Sequence, residues 1–194
     1  MKQIVLASGN AHKIAELRAL LPGWHIVGQN ELGVPAVAET GLTFVENALL
    51  KARAACRHSG LPALADDSGL CVPALRNAPG LHSARYSGGD DAANNAKLLA
   101  ELGTNPDRRA FYVCVLVYLR WADDPLPLLA SGFWAGEILT APRGTNGFGY
   151  DPLFFLPELG CSVAELSAEE KNRRSHRRQA LQQLLPLLNA EAAF

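Results

Sequence analysis

The chain lacks any apolar stretch long enough to cross a membrane as a helix: its longest, residues 111–119, is nine residues, against the ~20 that a bilayer needs. The start reads as no secretory leader, because its apolar run breaks at Ser8, Gly9 and Asn10, too early for a signal-peptide core. The four cysteines, Cys56, Cys71, Cys114 and Cys161, show no Cys-x-x-Cys or Cys/His ligand spacing. That speaks against a disulfide framework or zinc site and for reduced, buried thiols in a cytoplasmic protein. Neither charge sign is in excess, the formal net charge being -1, so a polyanion has to be held by a local group of cations rather than by the whole surface. Internal repeats, low-complexity segments and linkers are missing too. With 194 residues, 48% of them hydrophobic and 19% charged, the chain reads as a single domain, residues 1–194, able to bury a sizeable core.

What is present begins with residues 4–13. Ile4, Val5, Leu6 and Ala7 form a short apolar run that ends at Ser8-Gly9-Asn10 and passes into a helical pattern carried by Ile14, Leu17, Leu20 and Leu21, with Pro22-Gly23 as the stop. Lys13 then falls in the first helical turn, where the macrodipole and the unpaired N–H groups favour an anion over a cation. A phosphate would resolve that conflict, taking N–H bonds from the turn and a point charge from Lys13 while Gly9 lets the backbone come close. The Walker spacing is absent. An ordinary turn capped by Ser8 or Asn10, with Lys13 in solvent, is the plainer reading.

Farther along, His25 to Gly28 can add a second strand, and residues 32–42 read as a loop holding a solitary Glu39. Thr43 and Glu46 have the form of a capping box for a helix lasting to Gly60. A short apolar strand over residues 61–65 runs into Asp66-Asp67-Ser68-Gly69, and Leu70-Cys71-Val72 is apolar again. Two adjacent carboxylates in apolar surroundings need cationic partners, and neighbouring strand residues face opposite ways, so a single cation is not expected to serve both. Residues 78–89 read as a long loop, and Asp90 or Asp91 can cap a helix that ends at Gly103. The apolar run at 111–119 and a second long strand over 126–139 form a hairpin, which makes the sheet mixed rather than purely parallel.

The glycine-flanked residues 144–152 look like a scrambled dinucleotide fingerprint, but they precede an apolar strand rather than open a helix, so a Rossmann site is rejected. Phe148 could still stack on a planar ligand, or simply pack on the core. Residues 171–178 hold Lys171, Arg173, Arg174, Arg177 and Arg178 and no acid, and Arg177 shares the apolar stripe of Leu181, so it needs a buried partner or a cleft. A phosphate-accepting turn, isolated carboxylates at Glu39 and Asp66-Asp67, and a cationic segment together describe a nucleoside triphosphate with Mg²⁺, an ion satisfied by one or two carboxylates plus waters and phosphate oxygens.

Ser8-Gly9-Asn10 with Lys13, the stretches 39–44 and 46–48, Ala65-Asp66-Asp67-Ser68-Gly69-Leu70, Pro79-Gly80 with Ser83-Ala84-Arg85-Tyr86, Gly147-Phe148-Gly149-Tyr150-Asp151-Pro152 and Ser175-His176-Arg177 together resemble the inosine triphosphate pyrophosphatase family, in the same order over essentially the whole chain. The resemblance implies an α/β fold: an elongated mixed central sheet flanked by helices, with two lobes, a cleft between them and a relation to Maf proteins. It implies a cytoplasmic homodimer that hydrolyses ITP, dITP and XTP to the monophosphate and pyrophosphate with Mg²⁺, cleansing the nucleotide pool, with no stable nucleic-acid partner and no membrane. Carried over by position, Ser8, Gly9, Asn10, Ala11, His12 and Lys13 would hold phosphates, joined by Lys51. Asp67 would accept the proton and bind metal with Glu39. Ser68, Phe148, Gly149, Tyr150, Asp151, Lys171, His176 and Arg177 would contact substrate. The chain departs from the family at Asn146, where many relatives have glycine, and at Arg178, where a small residue is common. Two other readings are a Maf-type enzyme acting on modified pyrimidines and a non-catalytic nucleotide or nucleic-acid binder using residues 171–178.

Overall fold

The apolar run at the start forms strand β1 (Lys2–Ala7), and helix α1 (Ala11–Leu20) follows in a computed structural model that describes residues 2–191. Asn10 caps α1, its side-chain oxygen accepting the N–H groups of His12 and Lys13 at 3.0 and 3.1 Å. After β2 (Trp24–Gly28), Thr43 caps helix α2 (Phe44–Ser59) by accepting the Glu46 N–H at 3.2 Å, and Glu46 accepts the Leu42 N–H at 2.7 Å. Gly60 closes that helix in the left-handed conformation.

The segment around the paired aspartates is one uninterrupted strand, β3 (Ala63–Val72), rather than two apolar pieces about a polar break. Extended backbone sends the two carboxylates to opposite sides, where each meets its own cation, so nothing forces the strand to end. Residues 78–89 are likewise more ordered than a loop, with β4 (Ala78–Pro79) and a tight 3₁₀ turn, Gly80–Arg85. Gly69 permits this packing: a Cβ there would lie 2.4 Å from the Gly80 carbonyl oxygen. Helix α3 (Asp91–Leu102), capped by Asp90, leads to strands β5 (Arg109–Leu119) and β6 (Leu128–Ile138). Short strands β7 (Phe154–Leu156) and β8 (Cys161–Ser162) precede helices α4 (Ala168–Arg174) and α5 (His176–Glu191). The sequence pattern does not set α4 apart; Ser167 starts it by accepting the Glu170 N–H, and it stops at Ser175.

Among the described residues the strands form one eight-stranded sheet in the order β2-β1-β3-β5-β6-β7-β8, with β4 beside β3. β1 pairs in parallel with β2 and β3, whereas β3–β4, β6–β7 and β7–β8 are antiparallel, so the sheet is mixed and its flanks carry helices. The described chain divides into two compact units. Unit 1 runs to Asp67 and includes Cys114–Gly132 and the chain from Arg177 onward. Its core sets Ile4, Leu6, Leu64 and Leu116 against Leu17 of α1 and Leu181, Leu184 and Leu188 of α5. Unit 2 comprises Ser68–Val113 and Phe133–His176, with a core of Leu70, Leu98, Tyr112, Trp134, Phe154 and Leu156. Cys56, Cys71 and Cys114 are buried free thiols, while Cys161, on a two-residue strand, is half-exposed. No helix among the described residues is long and apolar enough to cross a membrane.

Candidate active site

Unit 1 gathers charge of both signs at the carboxyl end of β1 and along β3. The Lys13 ammonium, in the first turn of α1, reaches Asp66 Oδ1 at 2.7 Å. The conflict between that cation and the helix dipole is thus met by a carboxylate of the protein's own. Asp66 also accepts from Arg177 Nε at 2.7 Å and lies 3.2 Å from Cys114 Sγ, while the Arg177 guanidinium reaches back to Glu16. Asp66 and Arg177 are each 1% exposed. Burial works against the Asp66 charge, but Arg177 and then Lys13 outweigh it and hold the carboxyl well below the usual aspartate range.

Asp67, on the other face of the strand, takes a different cation. Lys51 of α2 donates to Asp67 Oδ1 at 2.6 Å, to Glu39 Oε1 at 2.9 Å and to the Asp66 carbonyl at 2.9 Å. Burial pushes the Asp67 carboxyl up from its ordinary value, with Lys51 pulling against it. The family resemblance puts Lys51 with the phosphates and does not anticipate that it sits between the two carboxylates; its place in α2, which packs on β1, is what brings it there.

The turn from Ser8 to Lys13 is partly self-satisfied. The Asn10 N–H donates to Ser8 Oγ at 3.2 Å and the Ser8 N–H to the Leu6 carbonyl at 2.9 Å. Ala11 and His12 are exposed, and Gly9 has no need of glycine for its conformation: a Cβ would meet only Gln29 Nε2, at 3.6 Å.

Unit 2 holds the remaining candidates around residues 147–151. Asp151, 2% exposed, accepts from Lys171 Nζ at 2.7 Å, from the Phe148 N–H at 2.9 Å and from the Tyr112 hydroxyl at 3.1 Å. The Lys171 ammonium lies 4.2 Å from the Phe148 ring centroid, a cation–π contact. Gly147 has to be glycine, since its φ is +77° and a Cβ would fall 2.1 Å from Asp151 Oδ2. Helix α3 clamps the loop at one residue: the Gly149 N–H donates to Asp91 Oδ2 at 2.7 Å and the Gly149 carbonyl accepts from Asn95 Nδ2 at 2.8 Å. A cavity of about 420 Å³ lies there, lined by Asp91, Asn95, Leu99, Asn146, Phe148 and Gly149 among others. The Tyr150 hydroxyl donates to the Ser83 carbonyl at 2.9 Å, and Ser68 is half-buried on β3. His176 is 5% exposed and stacks on Tyr112, centroids 4.8 Å apart.

Glu39, Lys13, Lys51, Asp67 and Arg177 therefore belong to one unit, and Phe148, Gly149, Tyr150, Asp151, Lys171 and His176 to the other. In the sequence Asp66 stands out only as one of a carboxylate pair in need of cations, and Tyr112, Glu16 and Asn95 carry no functional signal of the kind a spacing argument reads, while Asp91 stands out only as a possible helix cap. The basic segment 171–178 is not a bare cationic face. Lys171 and Arg177 are buried in ion pairs, and Arg173 and Arg174 pair with Glu169 and Glu170 within α4.

The Ham1 family model matches residues 4–187. A dITP/XTP pyrophosphatase of Bordetella parapertussis is 58% identical over 98% of this chain and 92% of its own length, and one of Ralstonia nicotianae is 59% identical over 97% of each. Among solved structures, a HAM1 protein from Coxiella burnetii superposes with a TM-score of 0.91 at 48% identity, covering 98% of this chain and all of that one. The Staphylococcus aureus Ham1 protein gives 0.87 at 44% identity over 98% and 100%. A family match spanning nearly every described element, joined to such identities, makes this chain a member of the Ham1 family.

Proposed function

We propose that this protein is a nucleoside triphosphate pyrophosphatase that hydrolyses non-standard purine nucleotides, ITP, dITP and XTP, to the monophosphate and pyrophosphate. The observation that carries this reading is the near-full-length identity, 58% and 59%, to proteins named dITP/XTP pyrophosphatase. The family resemblance further supports a homodimer working in the cytoplasm on a small-molecule substrate, with no stable nucleic-acid partner.

The residues fit Mg²⁺. Two carboxylate oxygens, Glu39 Oε1 and Asp67 Oδ1, already converge on one cationic centre, the Lys51 ammonium. No three His, Cys, Asp or Glu side chains cluster as a metal group among the described residues, and Mg²⁺ needs only one or two carboxylates, completing its shell with water and phosphate oxygens. Glu39 and Asp67 would hold the ion, which when bound supplies positive charge against the phosphate oxygens and the departing pyrophosphate.

In this reading Ser8, Gly9, Asn10, Ala11, His12 and Lys13 take the phosphates. Gly9, a glycine that its own backbone does not demand, leaves room for a close approach. Asp67, made more basic by burial, accepts a proton from the attacking water as the water oxygen bonds to the α-phosphorus. The bond from that phosphorus to the bridging oxygen breaks, and pyrophosphate leaves with the electron pair. Lys51 leaves its carboxylate partners for the phosphates. Arg177 and Lys13, each anchored on Asp66, keep a fixed positive charge. Ser68, Phe148, Gly149, Tyr150, Asp151, Lys171, His176 and Arg177 receive the nucleoside. An N–H of His176, Arg177 or the loop backbone donates to a 6-oxo group but opposes the 6-amino group of adenine, donor against donor. Such a polar mismatch can discriminate by up to ~10⁴ when it leaves buried groups unpaired.

A phosphate assay across a nucleotide panel, with and without added inorganic pyrophosphatase, tests the reaction. The expected signal appears with dITP, ITP and XTP only when the coupling enzyme is present. Orthophosphate released without it, or equal rates on methylated pyrimidine triphosphates, overturns the reading.

A further inference from the structure

We infer that Tyr112 is a positioning residue for base selection, acting through Asp151 and His176; the inference rests on the pyrophosphatase reading above and deepens it. Tyr112 lies in β5 and is 8% exposed. Its two ends do different work. The hydroxyl donates to Asp151 Oδ1 at 3.1 Å, and the ring stacks on the His176 ring with centroids 4.8 Å apart and planes 16° from parallel. Behind it, the Phe154 ring is 4.5 Å away.

The other carboxylate oxygen of Asp151 is already committed: Oδ2 accepts from Lys171 Nζ at 2.7 Å and from the Phe148 N–H at 2.9 Å. A carboxylate bonded through one oxygen can still rotate about its own axis. The Tyr112 hydroxyl on the second oxygen removes that rotation and with it the freedom of Lys171 and of the Phe148 peptide. The same side chain presses His176 into one ring plane. Tyr112 thus couples the glycine-rich loop to the first residue of α5, two segments that sequence separates and that both carry proposed base contacts.

Packing alone does not account for a tyrosine here. The ring sits in an apolar core with Leu70, Trp134, Phe154 and Leu156, which a phenylalanine would fill equally well, and burying a hydroxyl is unfavourable unless it is bonded. Its bond goes to a charged acceptor, the stronger class of hydrogen bond. The chemistry that would feel a misplaced Lys171 or His176 is recognition of a 6-oxopurine edge, where small displacements of donors cost discrimination.

The test is Tyr112→Phe in the full chain, which keeps the ring and removes the oxygen. Wild-type and variant are compared for kcat and KM on dITP and dGTP, for binding of dIMP and dGMP by calorimetry, and for melting temperature. The expected result is a KM for dITP raised about tenfold, the weight of one hydrogen bond to a charged group, with a smaller change in kcat and a reduced preference for dITP over dGTP. In a double-mutant cycle with Asp151→Asn the two effects should be clearly non-additive, because one hydroxyl acts through one carboxylate. A lower melting temperature with KM, dIMP affinity and base preference all unmoved would assign Tyr112 to the core alone and overturn the inference, as would strict additivity. Should the wild-type protein itself show no preference for dITP over dGTP, the pyrophosphatase reading fails first and the inference with it. A wild-type preference that survives in Tyr112→Phe removes only the role of Tyr112.

Discussion

The two units treat charge in opposite ways. In unit 1, Asp66 meets Lys13 and Arg177, Arg177 meets Glu16, and Lys51 joins Asp67 to Glu39, so seven charged side chains share contacts drawn from β3, α1, α2, α5 and one loop. In unit 2 the buried ion pair of Asp151 with Lys171 is set among Phe148, Tyr112 and His176. A charge network suits a polyanion and its metal, because it offers fixed charges whose desolvation has already been met. An aromatic pocket with one ion pair suits a flat, neutral base, where stacking and a few directed hydrogen bonds decide.

The sharpest break in that comparison is Asp67→Asn. It should lower kcat for dITP by about a thousandfold, within the ~10²–10⁴ range of a general base, with base preference little changed, read by pyrophosphate release. Asp66→Ala comes next. It leaves the buried Arg177 and the half-buried Lys13 without their shared carboxylate and should destabilise the fold by about 3–5 kcal/mol in urea titration, more than Asp151→Ala, which strands one cation. Phe148→Ala should raise KM for dITP by up to about tenfold, the upper end of the ~0.5–1.5 kcal/mol of a lost aromatic partner, with kcat affected far less.

A finer test uses pH on metal-free protein. The folded Asp66 carboxyl is held below its unfolded value, burial opposing and Arg177 and Lys13 prevailing. Its stabilisation is therefore complete above about pH 4, near the unfolded value, and is lost as pH falls through the lower folded value. Acid unfolding of the wild type should accordingly be steeper below pH ~4 than that of Asp66→Asn. Smallest is Asn95→Ala, which removes the bond to the Gly149 carbonyl and leaves Gly149 held by its N–H bond to Asp91. A two- to threefold rise in KM is expected, about the net worth of one neutral hydrogen bond, along with faster amide exchange in residues 147–151.

Much of this was legible in the residues themselves. Asn10 as a cap before Lys13, the Thr43 and Glu46 pair, the apolar run at 111–119 and the mixed sheet follow from short-range rules that need no partner. The opposite placement of Asp66 and Asp67 follows from strand geometry alone. Less legible was where Lys13 and Arg177 send their charge: both read as groups awaiting an outside anion or an unnamed partner, and both meet Asp66. Residues 171–178 read as uniformly basic because their acids, Glu169, Glu170, Asp151, Asp66 and Glu16, lie outside the segment. Tyr112 and Asn95 look like ordinary strand and helix residues until the loop at 147–151 is folded against them.

Alternation, capping and the ends of apolar runs are local properties, so the residues alone were enough to place the longer strands and helices, the order of the motifs and the family. Ion pairing and stacking join residues far apart in the chain, and no spacing rule reaches across such a gap. Only the tertiary structure decided that Lys51 stands between Glu39 and Asp67, that Asp66 holds two cations at once, and that Tyr112 joins Asp151 to His176, because each of those contacts exists only after the sheet has brought its partners together.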